Sequence, residues 1–209
     1  MRVLPVGDDA LLVETGSGEE ARALHEELLR RRERGALVVR EIVPAARTVL
    51  LDGLEDPARV AAGLAAADVP PAPAPAGAVV EIPVRYDGPD LDGVAAHWGV
   101  SPAEAARIHA AAEFRVAFCG FAPGFGYMTG LPPGYDGVPR RATPRTAVPA
   151  GSVALAGPYT GVYPRASPGG WQVVGSTDAV LWDPERVPAA LLSPGTRVRF
   201  VPRDGEGTA

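Results

Sequence analysis

A chain of 209 residues, 46% apolar and 22% charged, is long enough for one large globular domain or two small ones. Its formal charge of -5 argues against a general nucleic-acid or anionic-membrane surface, and its single cysteine excludes an internal disulfide framework. All 20 basic residues are arginine, so the chain can build neither a lysine Schiff base nor a Walker A phosphate loop.

The first residues carry Asp8 and Asp9 where a signal peptide needs a longer apolar run. No stretch approaches the roughly 20 apolar residues of a membrane span, so a cytoplasmic protein is expected. Arg2 to Val6 and Ala10 to Thr15 are predicted strands about a Gly7-Asp8-Asp9 turn. Ser17 and Glu20 form a capping-box pattern ahead of Ala21, Leu24, Leu28 and Leu29 at helical spacing, with Gly35 as the stop. Within that helix His25 is expected at the surface, and Arg30-Arg-Arg-Glu-Arg34 opposes the negative end of the helix dipole. Leu37 to Val43 and Thr48 to Leu51 are predicted strands. Asp56 as N-cap and Pro57 at the first helical position open a second helix with Val60, Leu64 and Val69 on its apolar side. Together these predict a small α+β sandwich with two helices on one face of an antiparallel sheet.

Pro70 to Gly77, with prolines at alternate positions, reads as an extended linker, which divides the chain into residues 1–76 and 77–209. Val79 to Tyr86 resumes as a strand, and Asp90 to Trp98 forms a short helix. Asp87, Asp90 and Asp92 suit that helix's N-terminus. Ser101-Pro102-Ala-Glu104 then starts another helix with N-cap, N1 proline and capping-box glutamate, running to about Ala111. Phe114 to Phe118 is a predicted strand. Short apolar runs follow at Val153 to Ala156, Trp171 to Val174, Ala179 to Trp182 and Arg197 to Val201, each bounded by glycine or proline, as in a closed or nearly closed β-barrel. The tail after Asp204 is expected to fray.

Phe118 to Gly175 interleaves aromatic rings, arginines and glycines more densely than any other stretch. Glycine permits positive φ or close backbone approach and proline fixes φ, so the stretch encodes loops of defined shape. Arg140, Arg141, Arg145 and Arg165 lie in or beside these loops, where guanidinium forks suit a carboxylate or phosphate. Phe121, Phe125, Tyr127, Tyr163 and Trp171 can wall a pocket for a small anionic or amide-bearing ligand. Arg140 and Arg145 are read as ligand-binding. For Arg141 and Arg165 that role stands beside a bracing role against Asp136, Asp178 or Asp183. Cys119 has no neighbouring base or cation in sequence and reads as a buried, inert thiol. His109 reads as a structural polar contact beside the loop, with a general-base role as the alternative. No sequence pattern holds a metal, and no nucleophile or general base is assigned.

Gly120-Phe-Ala-Pro-Gly-Phe-Gly-Tyr127, Pro139-Arg-Arg-Ala-Thr-Pro-Arg145, Val148-Pro-Ala-Gly-Ser152, Thr160-Gly-Val-Tyr-Pro164 and Ser167-Pro-Gly-Gly-Trp171 resemble the motifs of the PxpB/KipI family. That family comprises the PxpB component of bacterial 5-oxoprolinase, small-subunit proteins labelled allophanate hydrolase, and an inhibitor of a sporulation histidine kinase. The resemblance implies an α+β chain: a small N-terminal α/β sandwich followed by a cyclophilin-like β-barrel. It implies a cytoplasmic subunit that works with a larger PxpC-type subunit, often with a third, PxpA-type protein, to open 5-oxo-L-proline to L-glutamate at the expense of ATP. Inhibition of a histidine kinase and hydrolysis of allophanate or another urea-derived amide are the alternatives. The candidate substrate-binding residues are Phe121, Pro123, Gly124, Phe125, Tyr127, Arg140 and Arg145 from the first two motifs, with Thr160, Gly161, Tyr163, Gly169, Gly170, Trp171 and Gln172 from the last two. Tyr159 stands where glutamine is common in the family and Gln172 where histidine is frequent.

Overall fold

The computed structural model describes residues 1–65, 69–71 and 79–203, and the chain divides into two compact units, Met1–Ala74 and Pro75–Ala209. Most of the expected Pro/Ala linker, the proposed boundary after residue 76 and the tail from residue 204 lie outside the described residues.

The first unit is a four-stranded antiparallel sheet in the order β1-β2-β4-β3, where β1 is Arg2–Val6, β2 Ala10–Glu14, β3 Glu41–Pro44 and β4 Thr48–Asp52. Register places Leu11 opposite Leu51, Val13 opposite Val49 and Ile42 opposite Leu51. These apolar side chains form one buried cluster with Leu24 and Leu28 of α1 (Gly18–Glu33) and Leu64 of α2 (Pro57–Ala65). Burying each such leucine stabilises the unit by roughly 1.5–3 kcal/mol. The caps form as expected. Ser17 Oγ accepts from the Glu20 N–H at 3.1 Å, Glu20 reaches back to the Gly16 N–H at 2.8 Å, and Asp56 accepts from the Arg59 N–H at 3.0 Å.

Three expectations for this unit are corrected. Only Glu41–Pro44 of the predicted Leu37–Val43 strand pairs with β4. His25 is buried on α1, where desolvation lowers its pKa. The basic run does more than oppose a dipole, because Arg30, Arg31 and Arg34 all donate to the Glu27 carboxylate, itself buried on the same helix.

The second unit is a seven-stranded sheet in the order β12-β9-β10-β7-β6-β13-β5. Its strands are β5 (Val79–Val84), β6 (Glu113–Cys119), β7 (Gly126–Thr129), β9 (Ser152–Ala156), β10 (Tyr159–Val162), β12 (Gln172–Ser176) and β13 (Arg197–Pro202). All pairings are antiparallel except β13 with β5. Just past β5, the Arg85 N–H donates to the Ser176 carbonyl at 2.9 Å, and the Arg85 carbonyl accepts from the Ser176 N–H at 2.8 Å. That pair joins the two ends of the sheet into a nearly closed barrel, the α+β architecture expected. Helices α3 (Leu91–Trp98) and α4 (Pro102–Ala111) precede β6, and a separate ribbon pairs β8 (Arg145–Val148) with β11 (Ser167–Gly169). The expected strand at Ala179–Trp182 is instead a loop, with one bridge between Trp182 and Ala190. The Arg186 guanidinium holds this loop by donating to the carbonyls of Val180, Leu181, Pro188 and Ala189, so its backbone is satisfied without a ladder.

Strand β9 is buried along its whole length. Val153 and Leu155 join the main core with Ile82, Phe114, Met128, Val198 and Phe200. Ala154 and Ala156 face the opposite way, into a second cluster with Phe125, Tyr163, Trp171 and Val173. Strand alternation therefore gives the barrel wall two apolar faces, and the outer one carries the candidate site.

Candidate functional site

The floor of the site is built from small residues. Ala154 pairs with Gly161 on β10 and with Val173 on β12, leaving a shallow strip on the outer face of the wall. Phe125 and Trp171 pack over it. A methyl group on Gly161 would lie 2.7 Å from Phe125 Cζ and 3.1 Å from Trp171 Cζ3, so only glycine admits the rings this closely. Phe125 packs edge-on against Phe121, Tyr127, Tyr163 and Trp171, with ring centroids 5.0–5.5 Å apart. Such pairs contribute about 0.5–1.5 kcal/mol each beyond burial.

These rings enclose a cavity of about 310 Å³ with Arg140, Pro144, Pro168, Gly169 and Gly170 on its remaining sides. That volume is at the small end of the ligand-site range, roughly 300–1,000 Å³. Larger clefts lie in the first unit, between α1 and α2 and beside β1, but neither gathers aromatic rings around a single cation. Arg140 is exposed and makes no hydrogen bond or ion pair among the described residues. Burial raises the pKa of the Tyr127 and Tyr163 phenols, and the Arg140 charge opposes that rise in both. The lining contains neither a carboxylate nor a histidine.

Phe121 stands at the rim with its ring about half exposed, at 56%, and its backbone in the left-handed region at φ 66°. It is the only non-glycine residue there among the described residues, and for a bulky side chain that conformation is a genuine outlier. The turn is held by the Ala122 N–H on the Gly120 carbonyl at 2.7 Å and the Phe125 N–H on the Ala122 carbonyl at 3.0 Å. Strain of this kind persists where the surroundings over-determine it, and it clusters at functional sites.

Of the sequence candidates, the structure gathers Phe121, Phe125, Tyr127 and Arg140 at the cavity, together with Tyr163, Gly169, Gly170 and Trp171. It places the others differently. Pro123 is exposed on the rim turn, and Gly124, at φ 85°, packs against Leu181 and Trp182. Gly161 lies beneath the rings and does not line the cavity. Thr160 is fully buried on the other face of the wall, because alternation that turns Gly161 outward turns Thr160 inward. Gln172 donates from Nε2 to the Pro139 carbonyl at 3.0 Å, bracing a loop instead of meeting a ligand.

Arg145 is likewise redirected. Its guanidinium is spent in a bidentate pair on Asp90, at 2.7 and 2.9 Å, and Arg141 donates to the same carboxylate at 2.6 Å. The partner is thus Asp90, not Asp136, Asp178 or Asp183. Burial raises the Asp90 pKa, but the Arg145 and Val173 hydrogen bonds and the two guanidinium charges outweigh it and hold the carboxyl below its ordinary value. Arg165 is exposed and lines no part of the cavity.

His109 meets Thr160 inside the barrel. Its Nδ1 shares a hydrogen bond with Tyr86 Oη at 2.7 Å and its Nε2 lies 3.4 Å from Thr160 Oγ1, between the rings of Phe114 and Phe200. Complete burial pushes its pKa down to about 3, so it is neutral and structural, cut off from the cavity. Cys119 donates weakly to the Leu192 carbonyl at 3.7 Å, and burial pushes its thiol pKa up, the opposite of nucleophile activation. Among the described residues no group of three or more histidines, cysteines and carboxylates could hold a metal ion. Pro144, Pro168 and Asp90 are contributors that sequence reasoning missed. The Pro139–Arg145 and Ser167–Trp171 motifs marked the segments of the two prolines, but nothing near Asp90 in sequence marked its role.

Comparison with known proteins gives these features relatives. A family described as carboxyltransferase domain, subdomain C and D, matches residues 1–192. A 5-oxoprolinase subunit of Escherichia coli O157:H7 is 53% identical over 127 residues, which is 59% of this chain and 58% of that protein. The match therefore spans less than two thirds of that relative's length. Among solved structures, the protein TTHA0988 superposes with a TM-score of 0.78 at 36% identity, over 96% of this chain and 41% of its own. Urea amidolyase of K. lactis superposes with a TM-score of 0.74 at 20% identity, over 98% of this chain and 15% of its own, and shares the fold alone.

Proposed function

The chain belongs to the carboxyltransferase-domain family of subdomains C and D, and we propose that it is one subunit of an ATP-dependent 5-oxoprolinase, opening 5-oxo-L-proline to L-glutamate with a larger PxpC-type subunit and a PxpA-type protein. The name of its E. coli relative supports this reading. The observation that carries it is the cavity: aromatic walls about 310 Å³ in extent with a single unpaired cation, Arg140, at the mouth. 5-Oxo-L-proline is a small, nearly flat lactam ring bearing one carboxylate. Its ring face suits Phe125, Tyr127 and Trp171, and its carboxylate suits a guanidinium fork.

A lactam is a poor electrophile, so ATP activates its oxygen as a phosphorylated intermediate before water attacks. This chain contributes binding and orientation to that sequence. Arg140 fixes the carboxylate, the rings fix the plane of the lactam, and the rim excludes water from one face. Neither a carboxylate nor a histidine lines the cavity, and the chain has no lysine-bearing phosphate loop. Proton transfer and ATP binding therefore fall to the partner, and the chain alone is inactive. A cytoplasmic location goes with this role; among the described residues no helix is long and apolar enough to cross a membrane.

The test is co-expression with the large subunit and the PxpA-type protein, with glutamate release from 5-oxoproline measured with and without ATP. A folded, complete assembly that releases none removes the proposal. Allophanate in the same assay, and a pull-down against histidine-kinase dimerisation domains, address the two alternatives.

A further inference from the structure

Arg140 is free at the cavity mouth, yet the backbone on both sides of it is held. On one side Gln172 donates to the Pro139 carbonyl at 3.0 Å. On the other, the Arg141 N–H donates to the Gly170 carbonyl at 2.8 Å and the Arg141 guanidinium ends on Asp90. Arg145 anchors the far end of the same loop on that carboxylate, and the Val173 N–H of β12 adds a further bond at 2.7 Å. Asp90 thus ties the arginine loop to the strand that follows Trp171, with its side chain only 6% exposed.

The carboxylate is itself placed by the backbone before it. Gly88 crosses β12 so closely that any Cβ would collide with the Val173 carbonyl, and the Asp90 N–H donates to that carbonyl at 2.9 Å. A buried ion pair is weak as a source of stability, since apolar groups of similar volume commonly do as well. What the Asp90 cluster achieves that apolar groups cannot is selection among three arginines. It neutralises Arg141 and Arg145 and leaves Arg140 as the lone cation in the cavity lining.

We infer that Asp90 is the positioning residue of this site, a buried carboxylate that withdraws two loop arginines and, with Gln172, clamps both neighbours of Arg140 so that one guanidinium is presented to a mono-anionic ligand. The inference rests on the proposed reading of the cavity as the 5-oxoproline site. Asp90 touches no ligand and acts through Arg140.

Two readouts test it with Asp90→Asn, which keeps the shape and removes the charge. In the full chain, NMR-detected exchange of the Arg141 amide should accelerate by about tenfold or more relative to amides of β6 and β13. In the assembly with the large subunit, KM for 5-oxoproline should rise by about tenfold or more while kcat stays within about threefold. If Asp90→Asn does not fold, Gln172→Ala removes the other clamp and should shift both readouts the same way. Unchanged Arg141 exchange, acceleration spread evenly over the barrel, or faster local exchange with unchanged KM each overturns the inference. An inactive wild-type assembly would sink the functional proposal instead, and Arg141 exchange would then decide the role of Asp90 by itself.

Discussion

Gly161→Ala tests whether the aromatic cluster really rests on a floor without side chains. The added methyl would lie 2.7 Å from Phe125 Cζ, whereas carbon atoms pack best at about 3.5–4.0 Å. Phe125 must therefore withdraw by about 1 Å, and it is only 2% exposed, hemmed by four other rings. Overpacking of this kind costs about 1–3 kcal/mol. Replacing a strand glycine returns about 0.5–1 kcal/mol through the unfolded chain, for a net loss centred near 1 kcal/mol and at most about 2.5 kcal/mol, or roughly 5- to 10-fold and at most about 70-fold in the folding equilibrium. All three tryptophans, Trp98, Trp171 and Trp182, lie in the second unit, so urea unfolding followed by fluorescence reports that unit. The midpoint should fall with the m-value unchanged. Gly170→Ala is the control, since its methyl would meet nothing closer than 3.6 Å and should change stability by less than about 0.5 kcal/mol. Equal effects from the two substitutions, or no effect from Gly161→Ala, would show that the floor is not what positions the rings.

Phe121→Gly should change stability by less than about 1 kcal/mol in either direction, because releasing a left-handed backbone offsets the lost ring contacts with Phe125 and Tyr163, while KM for 5-oxoproline in the assembly increases; an unchanged KM counts against a ligand-facing rim. Arg140→Ala should stay within about 0.5 kcal/mol of the parent by thermal unfolding, and raise KM about 10- to 100-fold, the worth of a charged hydrogen bond. In pH-dependent unfolding, His109 contributes fully above its unfolded value of 6.5 and loses that contribution as pH falls towards about 3, because the unfolded chain takes up the proton first. The slope should reach about 1.4 kcal/mol per pH unit, and His109→Asn should flatten it; an unchanged acid limb would mean that His109 is not buried neutral.

The parts of the fold legible in the sequence are those whose signal is local. Ser101 as N-cap, Pro102 at N1 and Glu104 three residues on specify a helix start within one turn, and Ser101 Oγ does accept from the Glu104 N–H at 3.1 Å. Strands β8, β10 and β11 carry no such signal. They are three or four residues long and include Gly161, Pro168 and Gly169, so pairing with neighbours makes them strands, not their own propensity. The rings and Arg140, which line the cavity, stand out in the sequence by residue type alone. Thr160 was misread beside Gly161 because a motif does not reveal which residue of a strand faces inward, and one step along the pleat separates the cavity floor from the His109 pocket. Arg145 was misread because its partner, Asp90, is 55 positions away, on a segment that gains its meaning only where Gly88 lets the chain lie against β12.

The placement of charge constrains how labour is divided in the proposed complex. A self-sufficient hydrolase keeps an acid or base within hydrogen-bond reach of the reacting atom. Here the nearest buried carboxylate, Asp90, is saturated by two guanidiniums and an amide, and the one histidine inside the barrel is neutral and behind the wall. Freeing Asp90 for proton transfer would leave two half-buried guanidiniums without their partner, so the same interactions that hold the arginine loop disqualify this carboxylate from chemistry. The exposed Phe121 and Arg140 leave the mouth open on the side where reacting groups must enter. The proposed site orients a substrate but is lined by neither carboxylate nor histidine, so a second protein is expected to supply the principal acid and base, and the decisive assay is on the assembly.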